Sequence, residues 1–260
     1  MFTSTDDDAK DRFSRIFGVL ELLAPHPAGL TVTEISQQLG LPLSSTHNLL
    51  QRLVKVEAVL VTSDLRYSIG GRAVRYGIRI MEGLNLRAVA RRHLQDLAQL
   101  LGEDVYLAER FGDRIVYTDR VAGHRPIKLD IQLGQSLLLH ATSVGKLFAA
   151  HHDELREKMM SRDRQRLTPT TLVEVEELEQ ELQEIRVQGY SVSRQEAVTG
   201  IIGVAVPVRD TQDKVVAAIH LSALAAHWEP TTEEAWLLQT TATAASVEKN
   251  LGRLGHDEVR

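Results

Sequence analysis

Residues 31–55, TVTEISQQLGLPLSSTHNLLQRLVK, set two short helical patterns on either side of a Gly40–Pro42 break. In the first, Ile35 and Leu39 share a face, Thr33 stands where a cap is expected, and Gly40 stands where a helix stops. In the second, Leu49, Leu50 and Leu53 make the apolar stripe. An earlier pattern with Phe13, Ile16, Phe17, Leu20 and Leu23 at helical spacing ends at PHPAG. Two short helices joined by a tight Gly-containing turn, backed by a third, predict a helix-turn-helix.

The next stretch narrows this further. AVLVTSDLRYSIG (58–70) holds two β-rich runs, Val59–Thr62 and Arg66–Ile69, around a polar Ser63–Asp64 turn. A hairpin there is a wing. If the third helix of a winged helix-turn-helix enters a major groove, its first-turn side chains lie nearest the base edges. Ser44, Ser45, Thr46, His47 and Asn48 occupy that turn, with Arg52 one turn later and Arg66 on the wing. A capping Ser on a surface helix would account for Ser44 alone. Short hydroxyl and amide side chains can bond phosphates or bases, and Asn48 can pair with adenine. Double-stranded DNA is therefore the expected partner of this third of the chain.

Charge agrees once it is divided along the chain. The whole protein is −5, which by itself argues against nucleic acid. Residues 9–80 nevertheless hold nine Lys/Arg against five Asp/Glu. A basic N-terminal third on an acidic body suggests two domains with different partners. There is no cysteine, hence no disulfide framework, thiolate metal site or Cys nucleophile. No apolar run approaches the ~18–20 residues that span a bilayer, and MFTSTDDDAK lacks the pattern of a secretory signal. A cytoplasmic protein without a membrane partner is the expectation.

Residues 84–101 carry Leu86, Ala90, Leu94, Leu97 and Leu101 on one helical stripe, which suits either a dimer seam or docking onto the next domain. Beyond it, residues 104–110, 114–123 and 126–131 read as strands, and 143–151 and 153–160 as short helices. Residues 170–189 read as a longer helix stopped by Gly189. Strands at 190–194, 203–209 and 215–222 and a last helix over 231–254 complete the pattern. Helices on a mostly antiparallel sheet of five or six strands make an α+β domain of sensor type.

These residues carry a resemblance. LHATSVGKLFAA (139–150), LTPTTLVEVEELEQELQEIRVQGYSVSRQEAVTGIIGVAVPVRD (167–210) and KVVAAIHLSAL (214–224) resemble the effector domain of the IclR family of transcriptional regulators. LPLSSTHNLLQRL and YSIGGRAVRYG resemble the same family's winged-helix end. The resemblance implies a winged helix-turn-helix at 9–70, a linker at 71–84 and a GAF-like effector domain at 85–254. Asn48 replaces a usual Arg, Glu57 a helix-ending Gly, and Leu138 a Pro. Gly203 stands where Cys or Ser is common, and His220 where Ser is familiar.

The resemblance also implies a small-molecule cavity built from Ser143, Val144 and Gly145, the Glu196–Gly203 segment with Ile201, and the strand bearing His220 and Ser222. A loop opening a helix at 143–145 presents backbone N–H groups to an anion, which suits the small organic or aromatic acids common in this family. Glu196 would then bond a hydroxyl or a water. Gly203 would leave room for a ring, and His220 would add a charge-assisted bond below its pKa. Lys146 is expected to cap or snorkel rather than bind ligand.

Two other groupings fall away. HHDE (151–154) has metal-ligand residue types but reads as a solvated helix start, so no metal is expected. His140, Ser143 and Glu196 lack the Gly-x-Ser-x-Gly elbow of a nucleophile, so neither catalytic residues nor cofactors are expected. The reading is a ligand-responsive regulator of a catabolic or metabolic operon, acting as a homodimer or dimer of dimers on a palindromic operator. A DNA-binding protein whose effector domain serves only assembly, and an enzyme, are the alternatives.

Overall fold

The computed structural model describes residues 5–82, 85–126 and 131–257. The chain divides into two compact units, Met1–Leu84 and Asn85–Arg260.

In the first unit α1 (Thr5–Leu23) is followed by β1 (Leu30–Thr31), α2 (Val32–Leu39), α3 (Leu43–Lys55), β2 (Val59–Val61), β3 (Arg66–Ile69) and α4 (Gly71–Glu82). The strands form an antiparallel sheet in the order β1-β3-β2, with Val59 opposite Ile69. The core joins Val19 and Leu23 of α1 to Ile35, Leu50, Leu53, Val59 and Tyr67. The wing and the three supporting helices are thus present.

Several local expectations change. The cap of α2 is Thr31, not Thr33: its hydroxyl accepts from the Glu34 N–H while the Glu34 carboxylate accepts from the Thr31 N–H. That reciprocal box satisfies two helix-end donors at once. Gly40 closes α2 in the left-handed conformation, φ 62°. On α1 the helical spacing holds, but Phe13 and Phe17 are 61% and 63% exposed while Val19 is buried. Residues 71–82, expected as linker, are helical throughout.

In the second unit α5 (Asn85–Leu101) precedes the hairpin β4 (Asp104–Phe111) and β5 (Arg114–Val121). Then come α6 (Ser143–His151), α7 (Asp153–Ser161), α8 (Val175–Gln188), β6 (Ser191–Arg194), β7 (Ile201–Arg209), β8 (Val215–Leu224) and α9 (Pro230–Asp257). The five strands are antiparallel in the order β5-β4-β8-β7-β6. The strand expected at 126–131 falls largely on 127–130, outside the described residues. Helix α8 begins at Val175 rather than residue 170, and Gly189 ends it at φ 80°.

Alternation along the strands sorts the side chains into two layers. Val105, Leu107, Ile202, Val204, Ile219 and Leu221 face α5 and α9. Tyr106, Ala108, Tyr117, Ala205 and Ala218 face α6, α7 and α8. Leu94 and Leu97 lie in the first layer at 0% and 2% exposure, so the α5 stripe is domain core and not a dimer seam.

Candidate functional site

The exposed face of α3 carries the first set of expected site residues. Ser44, Ser45, His47, Asn48 and Arg52 are all exposed, and Lys55 extends the row at the basic last turn. Thr46 is not among them. Its side chain is fully buried and its hydroxyl donates to the Pro42 carbonyl at 3.1 Å, so it holds the helix start and faces no partner. The polar run had hidden an inward position because one residue in each turn of a packed helix must face the core. Arg66 is half-buried, with Nε donating to the Ala28 carbonyl at 3.4 Å.

The second set surrounds a cavity of about 340 Å³ on the α6 side of the five-stranded sheet. Ser143, Ile201, Gly203, His220 and Ser222 line it. Strand pairing explains the convergence: Ser193 lies opposite Gly203, and Gly203 opposite Ser222, so one row of small residues crosses three strands. Sequence reasoning missed Ser193, Tyr117, Thr142, Gln135 and Ser136 on the polar side. It also missed Ile131, Leu137, Leu138 and Leu167 of the apolar wall, whereas Ala197 and Val198 come from the expected Glu196–Gly203 segment. The alternation that put Ser193 on the same face as Gly203 was available; the strap carrying 131–138 had no periodic signal.

Val144, Gly145 and Glu196 do not line the cavity. Val144 is packed in the core. A Cβ at residue 145 would meet the Leu138 carbonyl oxygen at 2.4 Å, so Gly145 lets the preceding loop cross the helix start. Its N–H is already taken by the Thr142 hydroxyl, 3.0 Å away, which caps α6. Glu196 turns inward onto Lys146, whose Nζ donates to its two oxygens at 2.8 and 3.0 Å. The same ammonium donates to Glu181 at 2.8 Å. Desolvation raises the Glu196 pKa, and the Lys146 charge opposes that rise. Lys146 is therefore a buried tie between α6, α8 and the 195–200 loop, neither cap nor snorkel. His140 bonds the Gln165 carbonyl at 3.0 Å, so His140 and Glu196 are both engaged away from Ser143.

His220 departs most from expectation. Its Nδ1 lies 3.2 Å from the Ser143 hydroxyl, and its ring stacks on Tyr117 with centroids 5.3 Å apart. Burial pushes its pKa down to about 3, against the opposing effect of a backbone bond at Val204. The ring is neutral at physiological pH and is not a standing cation. Nor is Gly203 an open space: a Cβ there would meet His220 Cε1 at 2.7 Å and Ser143 Oγ at 3.0 Å. The room that Gly203 leaves is occupied by the His220 ring.

Among the described residues lining this cavity there is no Lys, Arg, Asp or Glu. Hydroxyls, the Gln135 amide and one neutral imidazole face an apolar wall. Such a surface can orient a small molecule bearing one polar end, with an aromatic face supplied by Tyr117 and His220. Among the described residues no helix is long and apolar enough to cross a membrane.

Comparisons with known proteins place this geometry. The family profile described as IclR helix-turn-helix domain matches residues 14–59, and that described as bacterial transcriptional regulator IclR C-terminal matches residues 78–248. The chain is 32% identical over 219 residues to the HTH-type transcriptional repressor AllR of Klebsiella pneumoniae, covering 83% of this chain and 80% of that protein. It is 31% identical over 215 residues to the probable transcriptional regulator SauR of Cupriavidus necator, covering 79% and 82%. The Thermotoga maritima IclR structure superposes with TM-score 0.78 at 28% identity, over 95% of this chain and 99% of that one. An IclR homolog from Microbacterium hydrocarbonoxydans, complexed with 4-hydroxybenzoate, gives 0.79 at 25%, over 92% and 98%. These relatives are transcriptional regulators and not enzymes, and the chain belongs to the IclR family of transcriptional regulators.

Proposed function

We propose that this protein is a ligand-responsive regulator whose winged helix-turn-helix, residues 9–70, reads a palindromic operator. In this reading Ser44, Ser45, His47, Asn48, Arg52 and Arg66 contact the DNA. Residues 71–84 transmit the signal, and the effector domain at 85–254 senses a small organic or aromatic acid of a catabolic or metabolic operon. The observation that carries the reading is the pairing of an exposed polar face on α3 with a 340 Å³ cavity of mixed lining in the other unit. The 4-hydroxybenzoate complex of the Microbacterium relative supports an aromatic acid as the first candidate.

The mechanism is linkage. An effector that binds one dimer geometry better shifts the spacing of the two recognition helices, and DNA shifts effector affinity by the same factor. One helix and one wing bury too little interface for nanomolar selectivity, so a homodimer or dimer of dimers is part of the reading. Phe13 and Phe17 on α1 and Val74 and Ile78 on α4, exposed within their own unit, offer the apolar surface for it. The cytoplasm is its compartment. A mobility-shift titration on the intergenic DNA beside its own gene tests this, with and without 4-hydroxybenzoate and related acids. Binding should fall steeply with salt as phosphate counterions are released. A retained complex that no acid alters would leave a regulator whose effector domain serves assembly alone.

A further inference from the structure

One wall of the cavity has a hydrogen-bond polarity opposed to a carboxylate. Ser143 Oγ and His220 Nδ1 are 3.2 Å apart, both on the lining. A neutral imidazole has one donor nitrogen and one acceptor nitrogen. The ring also bonds the Val204 backbone in the sense that favours its protonated form, which engages the ring N–H there. The tautomer that satisfies both partners makes Nδ1 the acceptor and the Ser143 hydroxyl the donor. The hydroxyl's proton is then directed at His220, and its lone pairs are what remain for a ligand.

Among the described residues that line the cavity, none carries a positive charge. The ammonium of Lys146, one turn along α6, is held by Glu181 and Glu196. The titratable side chains packed on the His220 ring are Tyr106 from β4 and Tyr117 from β5, with centroids at 5.8 and 5.3 Å. Burial holds the Tyr117 phenol well above its ordinary value, so it stays neutral. Helix α6 contributes Ser143 to this surface and β7 contributes Gly203, neither ionisable. A carboxylate entering here meets hydroxyls, the Gln135 amide and the His220 imidazole, and of these the imidazole can answer its charge by taking up a proton.

We propose that the Ser143–His220 pair makes acid binding proton-coupled, so that an acid enters this cavity together with one proton that His220 takes up. The proton comes from solvent onto Nδ1. Nδ1–H then donates to Ser143 Oγ, which frees the Ser143 O–H to turn into the cavity and donate to the carboxylate. No covalent bond other than N–H is made. A carboxylate beside the ring favours its charged form, whereas burial in the free protein disfavours it, so ligand and proton bind with mutual gain. His220 is on this view a specificity-determining residue that separates acids from their neutral isosteres. The proposal rests on the acid-sensing reading, and the test separates the two.

Calorimetry of the full chain at pH 6, 7 and 8, in buffers of differing ionisation enthalpy, uses three acid–amide pairs. These are benzoate with benzamide, phenylacetate with phenylacetamide, and lactate with lactamide. Acids that bind should take up about one proton, with Kd rising about tenfold per pH unit, while the amides stay flat. In His220→Gln the acid's pH slope should vanish, whatever the variant's affinity at any one pH. Independently of that variant's folding, benzoate added to wild type at pH 7 should move the His220 ring nitrogens to imidazolium shifts in 15N NMR. Acid binding without uptake overturns the proposal and leaves the acid-sensing reading standing. A slope that persists in His220→Gln, or a ring that stays neutral with benzoate bound, overturns the role of His220. Failure of every acid at millimolar concentration overturns the acid-sensing reading, and the proposal with it.

Discussion

His220 fills the space that Gly203 leaves vacant: its Cε1 lies 2.7 Å from where a Cβ on residue 203 would sit. Residue 203 is opposite Ser222 in the sheet, and His220 is two residues along the same strand, so the pair is a diagonal neighbour on one face. Gly203→Ala should therefore destabilise the wild-type protein by roughly 1–3 kcal/mol through overpacking. In a His220→Ser background the same change should cost less, because the Ser143 hydroxyl, 3.0 Å away, is then what the added Cβ meets. A double-mutant cycle by urea unfolding measures the coupling, and additive effects would show that the two side chains do not compete for this space.

Acid should weaken the effector domain through His220. Its folded pKa, about 3, lies below the unfolded value of ~6.5, so between these values the unfolded chain binds more protons. Stability is then fully present above pH 6.5 and is lost as pH falls toward 3. Linkage gives a loss of about 1.5 kcal/mol between pH 6.5 and 5 from this one buried group. His151, held at about 4 mainly by desolvation, adds in the same direction. Urea unfolding at the two pH values should show a smaller loss in His220→Ser than in wild type. An equal loss would place the acid sensitivity elsewhere.

Thr46 and Arg52 should separate stability from DNA contact. Thr46→Ala removes a buried hydroxyl and its bond to Pro42, so the N-terminal unit should lose about 1 kcal/mol in thermal melts. Arg52→Ala, on the exposed face, should leave the melt unchanged and weaken operator binding by roughly 1–3 kcal/mol if Arg52 reads a base. A uniform loss across operator variants would instead assign Arg52 to a phosphate. Normal operator affinity in Arg52→Ala would remove it from the interface.

Glu57 follows α3 with φ 59°, a left-handed backbone that disfavours any side chain with a Cβ. Its ion pair with Arg75, at 3.6 Å, joins side chains 72% and 63% exposed and contributes little. Glu57→Gly should thus stabilise the N-terminal unit by about 0.5–1 kcal/mol. Differential scanning calorimetry checks it, and a lowered transition would mean that the Arg75 contact outweighs the backbone strain.

Although it left α4 as linker and did not show β1, the amino-acid order alone was enough for a winged helix-turn-helix, an α+β effector domain and the exposed polar residues of α3 other than the buried Thr46. Those features are local: helical spacing at Leu49, Leu50 and Leu53, a left-handed stop at Gly40, and alternation along 203–209 and 215–222 each act within a few residues. The IclR motifs also brought Ser143, Gly203, His220 and Ser222 into one list. Tertiary structure decided which way each residue faced and what charge it carried. Thr46 turns inward because α3 packs on α2 and on Val59 of β2, and Leu94 and Leu97 are core because α9 covers them. Glu196 turns to Lys146 across 50 residues of sequence. His220 is neutral because the sheet, Tyr106, Tyr117 and α6 together remove its water, and desolvation is a property of the assembled surroundings that no spacing along the chain encodes.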